Sequence, residues 1–227
     1  MTHGAAPATG QHAGSAGGPA RTTADAVTAT HLFLDRAEPL RDLARQAGAV
    51  ATACHAMAMR FHGGAKLIAF GTSAASTDAQ HVAVEFVHPV IVGKRALPAI
   101  SLTTDIATVT GIAARDGTAE IFARQIRALG EPADIALGIA PDGRSPSILA
   151  GLAAAHELGM LTIALAGGPE GPAGPVAASP AVDHVLLAAS ADPLTVKEVQ
   201  VTTYHVLWEL VHVFFEQPGV LGPGVIA

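Results

Sequence analysis

Lys66-Leu67-Ile68-Ala69-Phe70-Gly71-Thr72-Ser73-Ala74-Ala75-Ser76-Thr77-Asp78-Ala79-Gln80-His81-Val82-Ala83-Val84-Glu85-Phe86 decides the fold. A short strand-like run enters a turn of small and hydroxyl residues, and the turn opens an apolar helical pattern. A strand that gives way to a helix through such a turn is where an open α/β sheet presents backbone N–H groups to an anion. Within the helical pattern His81 and Glu85 stand four residues apart, so their side chains share one face. An imidazole and a carboxylate on one face can hold a divalent metal or divide a proton-transfer task. The same spacing also suits an exposed or capped pair.

Outward from this segment the chain repeats its first theme. Apolar runs at Lys66–Phe70, Ala99–Leu102, Ile135–Ile139, Leu161–Leu165 and His184–Leu187 predict five strands. The first four are each followed by a helical pattern, and the fifth leads to a helix from about Pro193 to Glu216. Strands alternating with helices imply right-handed crossovers and a parallel sheet, hence an α/β three-layer sandwich. Before the first strand, Ala24 to about Leu34 reads as a helix. Pro39 marks a break or a fresh start, and Leu40 to Phe61 reads as one long helix stopped by Gly63-Gly64. The helices before the first strand and after the last are expected to cover the two faces. Residues 1 to about 23, rich in Gly, Ala, Thr, Ser and Pro without apolar period, predict a mobile tail, and 217–227 an irregular end.

Composition narrows the function. Of 227 residues, 50% are hydrophobic and 14% charged, which suits a buried parallel sheet and apolar subunit contacts. A net charge of −6 without a Lys/Arg cluster argues against nucleic acid as a partner. Cys54, the single cysteine, excludes an intramolecular disulfide and reads as a small core residue. No apolar run reaches the ~18–20 residues that span a bilayer, and the first twenty residues lack the basic and apolar regions of a secretory signal. The expectation is a soluble, cytoplasmic protein with no membrane partner.

Three loops fall at the carboxyl edge of the expected sheet: Gly71–Thr77, Thr103-Thr104-Asp105, and Ala140 to Ser147. At these loops, and in Gly64-Ala65-Lys66-Leu67-Ile68, Asp78-Ala79-Gln80-His81, Arg95 to Asp105, Phe122-Ala123-Arg124-Gln125-Ile126 and Glu157-Leu158-Gly159-Met160, the chain resembles the sugar isomerase (SIS) domain family, and within it the phosphoheptose isomerases. The resemblance runs from about Ala51 to Val213. It implies the SIS fold with a five-stranded sheet in flavodoxin-like order, a domain over 24–216, and a homo-oligomer of tetrameric form with sites built from more than one subunit. It also implies interconversion of sedoheptulose 7-phosphate with the corresponding heptose phosphate, often with zinc. On the resemblance, His81, Glu85 and His205 fall on metal ligands, and Glu85 and His205 on the residues that carry protons. Ser73, Ser76, Thr103, Thr104, Asp105, Arg144 and Ser145 fall among the substrate-binding positions. Without the family, His205 in Tyr204-His205-Val206-Leu207-Trp208 reads as a satisfied core histidine.

The chain also departs from the family pattern. The first loop usually reads Gly-Asn-Gly-Gly-Ser; Ala75 stands where the serine hydroxyl belongs, with Ser73 and Ser76 nearby in sequence. The third loop usually reads Ser-Thr-Ser-Gly-Asn-Ser; here Ala140 and Pro141 remove hydroxyls, and Asp142 adds a negative charge. Two like charges ~4 Å apart repel by ~4 kcal/mol at an effective dielectric near 20. Arg144 can offset this by pairing with Asp142 or by binding the phosphate; alternatively Asp142-Gly143 forms a plain turn with Arg144 in water. A fourth ligand position, normally glutamine, is Lys197, whose ammonium cannot coordinate zinc. The expectation is an isomerase of a phosphorylated sugar. The alternatives are a non-catalytic oligomeric scaffold, as in relatives that bind a replication initiator, and an isomerase of a non-phosphorylated small molecule.

Overall fold

A computed structural model describes residues 19–217 and 219–222. The chain divides into two compact units, Met1–Ala37 and Glu38–Ala227. Among its described residues the first unit is α1 (Pro19–Leu34) and the turn after it. Proline at the first helical position costs nothing, because its missing N–H would have had no partner there. The helix therefore starts ahead of the expected Ala24, and residues 19–23 of the expected tail are helical. The rest of that tail lies outside the described residues. At the other end Gln217 and 219–222 form bends and turns, and 218 and 223–227 lie outside the described residues.

The second unit contains α2 (Ala37–Arg45, whose first residue belongs to the first unit), α3 (Ala47–His62), β1 (Leu67–Gly71), α4 (Ala74–Val87), β2 (Ala99–Ser101), α5 (Ile106–Asp116), α6 (Ile121–Leu129), β3 (Ile135–Ala140), α7 (Pro146–Glu157), β4 (Leu161–Ala166), β5 (His184–Leu187) and α8 (Pro193–Glu216). All strands pair in parallel, in the order β2-β1-β3-β4-β5. This is the expected fold class, a three-layer αβα sandwich in flavodoxin-like order.

Strand alternation assigns the faces. Leu67, Ala69, Ile135, Leu137, Ile139, Ile163 and Leu165 join one core with side chains of α3, α4 and α8. Ile68, Phe70, Ala136, Ala140, Ala164 and Ala166 join the other, under α6 and α7. On this second face the central strands carry small residues, so α7 lies close to the sheet. A Cβ on Gly138 would stand 2.9 Å from Ile148 Cγ2.

The terminal helices of this unit do not divide the faces between them, as the sequence reading expected. Both α3 and α8 pack on the α4 face, and they contact each other. Right-handedness explains this. The β1–α4–β2 crossover moves one way along the sheet and the β3–α7–β4 crossover the other, so their helices land on opposite faces. That leaves the α4 face over β3–β5 to be covered by α3 and α8.

The expected long helix Leu40–Phe61 is also two helices, α2 and α3, separated at Gln46. There the Gln46 amide leaves the helical path to serve the sheet. Its Nε2 donates to the Leu187 carbonyl at 2.8 Å, and its Oε1 accepts from the Leu187 N–H at 2.9 Å. The side chain thus acts as a one-residue strand partner on edge strand β5, satisfying groups that would otherwise want another strand. Cys54 is fully buried, as expected, and burial pushes its thiol up to about 12.

Candidate active site

Helices α4 and α8 pack side by side, and each contributes a polar row to an otherwise apolar contact. From α4 come Asp78, His81 and Glu85, spaced to share one face. From α8 come Lys197, Tyr204 and His205. The start of α8 is fixed by Asp192, whose carboxylate accepts from the Leu194 and Thr195 N–H groups at 3.3 and 3.0 Å, with Pro193 at the first helical position.

His81 is the hub. Its Nε2 lies 3.1 Å from Glu85 Oε1, and its Nδ1 lies 3.0 Å from the Tyr204 hydroxyl. The His205 ring meets the His81 ring edge-on, with centroids 5.1 Å apart. One ligand atom each from His81, Glu85 and His205 lie within 4.8 Å of one another. The three residues that the sequence reading placed in one site are therefore together within a single chain. Two imidazole nitrogens and one carboxylate oxygen form a donor set that zinc accepts, and Tyr204 supplies the outer partner that a ligating imidazole needs on its second nitrogen. The residues fit a divalent metal.

Lys197 is committed elsewhere. Its ammonium lies 2.7 Å from both carboxylate oxygens of the buried Asp78 and 3.4 Å from the Ala74 carbonyl. Asp78 and Tyr204 are the two site residues that sequence reasoning missed. The spacing Asp78–His81–Glu85 was a visible signal. Tyr204 carried none, because an aromatic on an apolar helix reads as core. It is indeed buried, and that burial, with the charges of Asp78 and Glu85, pushes its phenol up.

The loop residues divide into two groups. The first and second loops are stitched together: Thr103 Oγ1 donates to the Ser76 carbonyl at 3.1 Å and lies 2.8 Å from Ser101 Oγ, and Gln80 Nε2 donates to Thr103 Oγ1 at 3.3 Å. Ser76 Oγ turns back to the Ser73 carbonyl at 2.7 Å, and Thr104 Oγ1 donates to the Ser101 carbonyl at 3.0 Å. Ser73 adopts φ 55, the single positive-φ non-glycine residue among the described residues. Asp105 caps α5 through the N–H groups of Ala107 and Thr108 at 3.0 and 3.1 Å and the Thr108 hydroxyl at 2.6 Å. These donors hold its carboxyl below the usual carboxylate range.

The third loop is tied instead to the β4–β5 connection. Asp142 accepts from the Arg144 N–H at 3.0 Å and turns the chain at Gly143, whose φ is +67. The Arg144 guanidinium pairs with Glu170, not with Asp142. Ser145 Oγ lies 3.1 Å from Ser147 Oγ. This is the plain turn left open by the sequence, with one change: Arg144 has a carboxylate partner.

Neither of two cavities coincides with the His81 cluster. One, of about 790 Å³, lies beside β2 between α5 and α6 and includes Thr104 and Asp105. Its Arg115 and Arg124 share one carboxylate, Asp116, and its Arg127 lies 3.6 Å from Glu120 Oε2. The other, of about 380 Å³, is an apolar groove between α2–α3 and α8. No helix among the described residues is long and apolar enough to cross a membrane.

Comparison with known proteins places this geometry in context. The family model described as the SIS domain matches residues 33–167. A phosphoheptose isomerase of Solidesulfovibrio magneticus is 38% identical over 175 residues, covering 77% of this chain and 83% of that protein. The structure of a phosphoheptose isomerase from Francisella tularensis superposes with a TM-score of 0.76 at 28% identity, over 83% of this chain and 98% of that one. That of a phosphoheptose isomerase from Neisseria gonorrhoeae gives 0.73 at 26% identity, over 82% and 97%.

Proposed function

This chain belongs to the SIS domain family, and from that premise we propose that it is an aldose–ketose isomerase of a phosphorylated sugar, acting on sedoheptulose 7-phosphate or a close analogue. The observation that carries the reading is the convergence of His81, Glu85 and His205 from two helices, their ligand atoms within 4.8 Å. The similarity to phosphoheptose isomerases supports the substrate class.

The reaction moves a proton between neighbouring carbons while a carbonyl and a hydroxyl exchange places. Glu85, with a side chain only 12% exposed and one oxygen already held by His81, removes the proton next to the carbonyl. His205, facing the same space, carries the proton that is returned. His81 holds the Glu85 carboxylate in line. His81, Glu85 and His205 would hold a divalent ion such as zinc, which would supply Lewis acidity at the substrate carbonyl. Ser73, Ser76, Thr103 and Thr104 take the polar groups of the substrate from one side, and Ser145 and Arg144 from the other. Asp105 contributes by fixing the start of α5.

In this reading the working domain spans 24–216. It acts in the cytoplasm as a homo-oligomer, a tetramer, in which a second copy closes the site that one chain leaves open. The test is incubation with sedoheptulose 7-phosphate in D2O. Isomerisation through an enediol places solvent deuterium on the carbon beside the carbonyl, and proton NMR reads the loss of that signal together with the appearance of the aldose. Absence of both, with the protein folded and zinc supplied, refutes the assignment.

A further inference from the structure

We propose that the Asp78–Lys197 ion pair fixes the register of α4 against α8, and with it the spacing of His81 and Glu85 from His205. Asp78 and Lys197 are then positioning residues for the metal-binding set. The inference rests on the metal set of the isomerase reading and uses nothing of its substrate.

Two of the three ligands need no help. His81 and Glu85 stand one turn apart on α4, so the helix itself sets their separation. His205 comes from α8, and its distance from the other two depends on how the helices sit against each other. That distance matters, because a metal site tolerates departures of only about 0.2 Å in ligand distance. A slide by one residue's rise is already about 1.5 Å.

Apolar burial holds the helices together but specifies their register poorly. Ala75, Ala79 and Val82 of α4 share a core with Val196 and Val199 of α8, and such burial is non-directional. Hydrogen bonds and ion pairs supply the missing direction. One joins His81 to Tyr204 and so moves with a ligand. Another joins two residues outside the ligand set: the Lys197 ammonium lies 2.7 Å from each carboxylate oxygen of Asp78 and 3.4 Å from the Ala74 carbonyl. Three oxygens of α4 thus converge on one atom of α8. Asp78 stands one turn before His81 and two before Glu85 on the same face, and Lys197 two turns before His205. The pair therefore lies on the seam that carries the ligands.

Stability alone does not call for such a pair. Replacing both partners by apolar side chains is often neutral, whereas removing one strands the other's charge. Asp78, with its side chain 7% exposed, is the member that would be stranded. What apolar replacements cannot supply is a fixed point of contact, and registry is the best-attested use of a buried pair.

The test removes both partners at once, so the net charge beside the site is unchanged and an effect on metal binding is geometric. Full-length Asp78→Leu/Lys197→Met is stripped with chelator and compared with the wild type. Zinc affinity is read by competition with a chromophoric chelator, coordination geometry from the visible bands of bound cobalt(II), and stability from the melting temperature without metal. The melting temperature should hold while zinc affinity falls roughly tenfold to a hundredfold, the range for losing the outer support of a ligand set. The cobalt bands should shift or weaken as well. Asp78→Ala/Lys197→Ala, which cannot overpack the contact, repeats the measurement should the first variant not fold.

Wild-type zinc affinity or an unaltered cobalt spectrum in a folded variant overturns the proposal, and so does tighter zinc binding. Failure of both variants to fold makes the pair a structural element and overturns it too, as does a wild-type protein that takes up no zinc. A protein that binds zinc as expected yet is silent on every sugar phosphate offered sinks the isomerase reading alone.

Discussion

The helix-borne cluster and the third loop treat their polar groups in opposite ways. Across the contact between α4 and α8, Asp78 meets Lys197 and His81 meets Tyr204, pairs far apart in sequence, while Glu85 meets His81 one turn away on α4. In the third loop, Asp142 binds a backbone N–H two residues on, Ser145 meets Ser147, and Arg144 is neutralised by Glu170. Long-range partners on rigid elements preorganise a site. The Asp142 and Ser145 partners lie within the loop and hold its own shape, Arg144 is drawn away to Glu170 on the β4–β5 connection, and a ligand must first displace them.

Glu85→Gln is the sharpest way to break this contrast. The amide preserves size but cannot take a proton, so deuterium incorporation should fall by about a hundredfold or more while the melting temperature holds. Incorporation at the wild-type rate would move the base elsewhere, and the helix cluster would become merely structural. A smaller change sharpens the loop side. Glu170→Gln releases Arg144 from an exposed pair, whose strength is about 0.2–1 kcal/mol. Sugar-phosphate affinity should therefore rise by roughly a fewfold in calorimetry, more at low salt than at high. Equal affinity in both proteins would place Arg144 outside the substrate site.

The smallest effect tests Asp105 as a cap. Its folded carboxyl is held below the unfolded value, chiefly by the Thr108 hydroxyl and N–H. That contribution is present above the unfolded value of about 3.9 and is lost as pH falls through the depressed folded value. Asp105→Asn caps without titrating, so the melting temperature should hold at neutral pH and decline less steeply on acidification. An identical acid limb in both proteins would remove the carboxylate from the stability of this loop.

Much of the architecture was legible in advance because its causes are local and periodic. Apolar runs marked all five strands to within a residue of their ends, and the turn after Phe70 marked the carboxyl edge. The spacing of His81 and Glu85, with the family's pattern, pointed to His205 as the third member. What escaped notice depended on distant chain. Nothing around Gln46 announces a helix break, since its cause is the Leu187 backbone on edge strand β5. Lys197 could be read only as a missing ligand, because its partner Asp78 lies on another helix. Arg144 had a visible acidic neighbour in Asp142 and took a remote one, Glu170.

By itself the sequence determined the class of fold, the strand positions and the His81–Glu85 pairing, since hydrophobic period and helical spacing act within a few residues; His205 joined that pair only through the family resemblance. Only the tertiary structure decided that α3 and α8 share one face, that Tyr204 serves His81, and which carboxylate neutralises each cation. Those outcomes depend on which donor meets which acceptor once the sheet has brought distant segments within about 3 Å, a distance no linear spacing encodes.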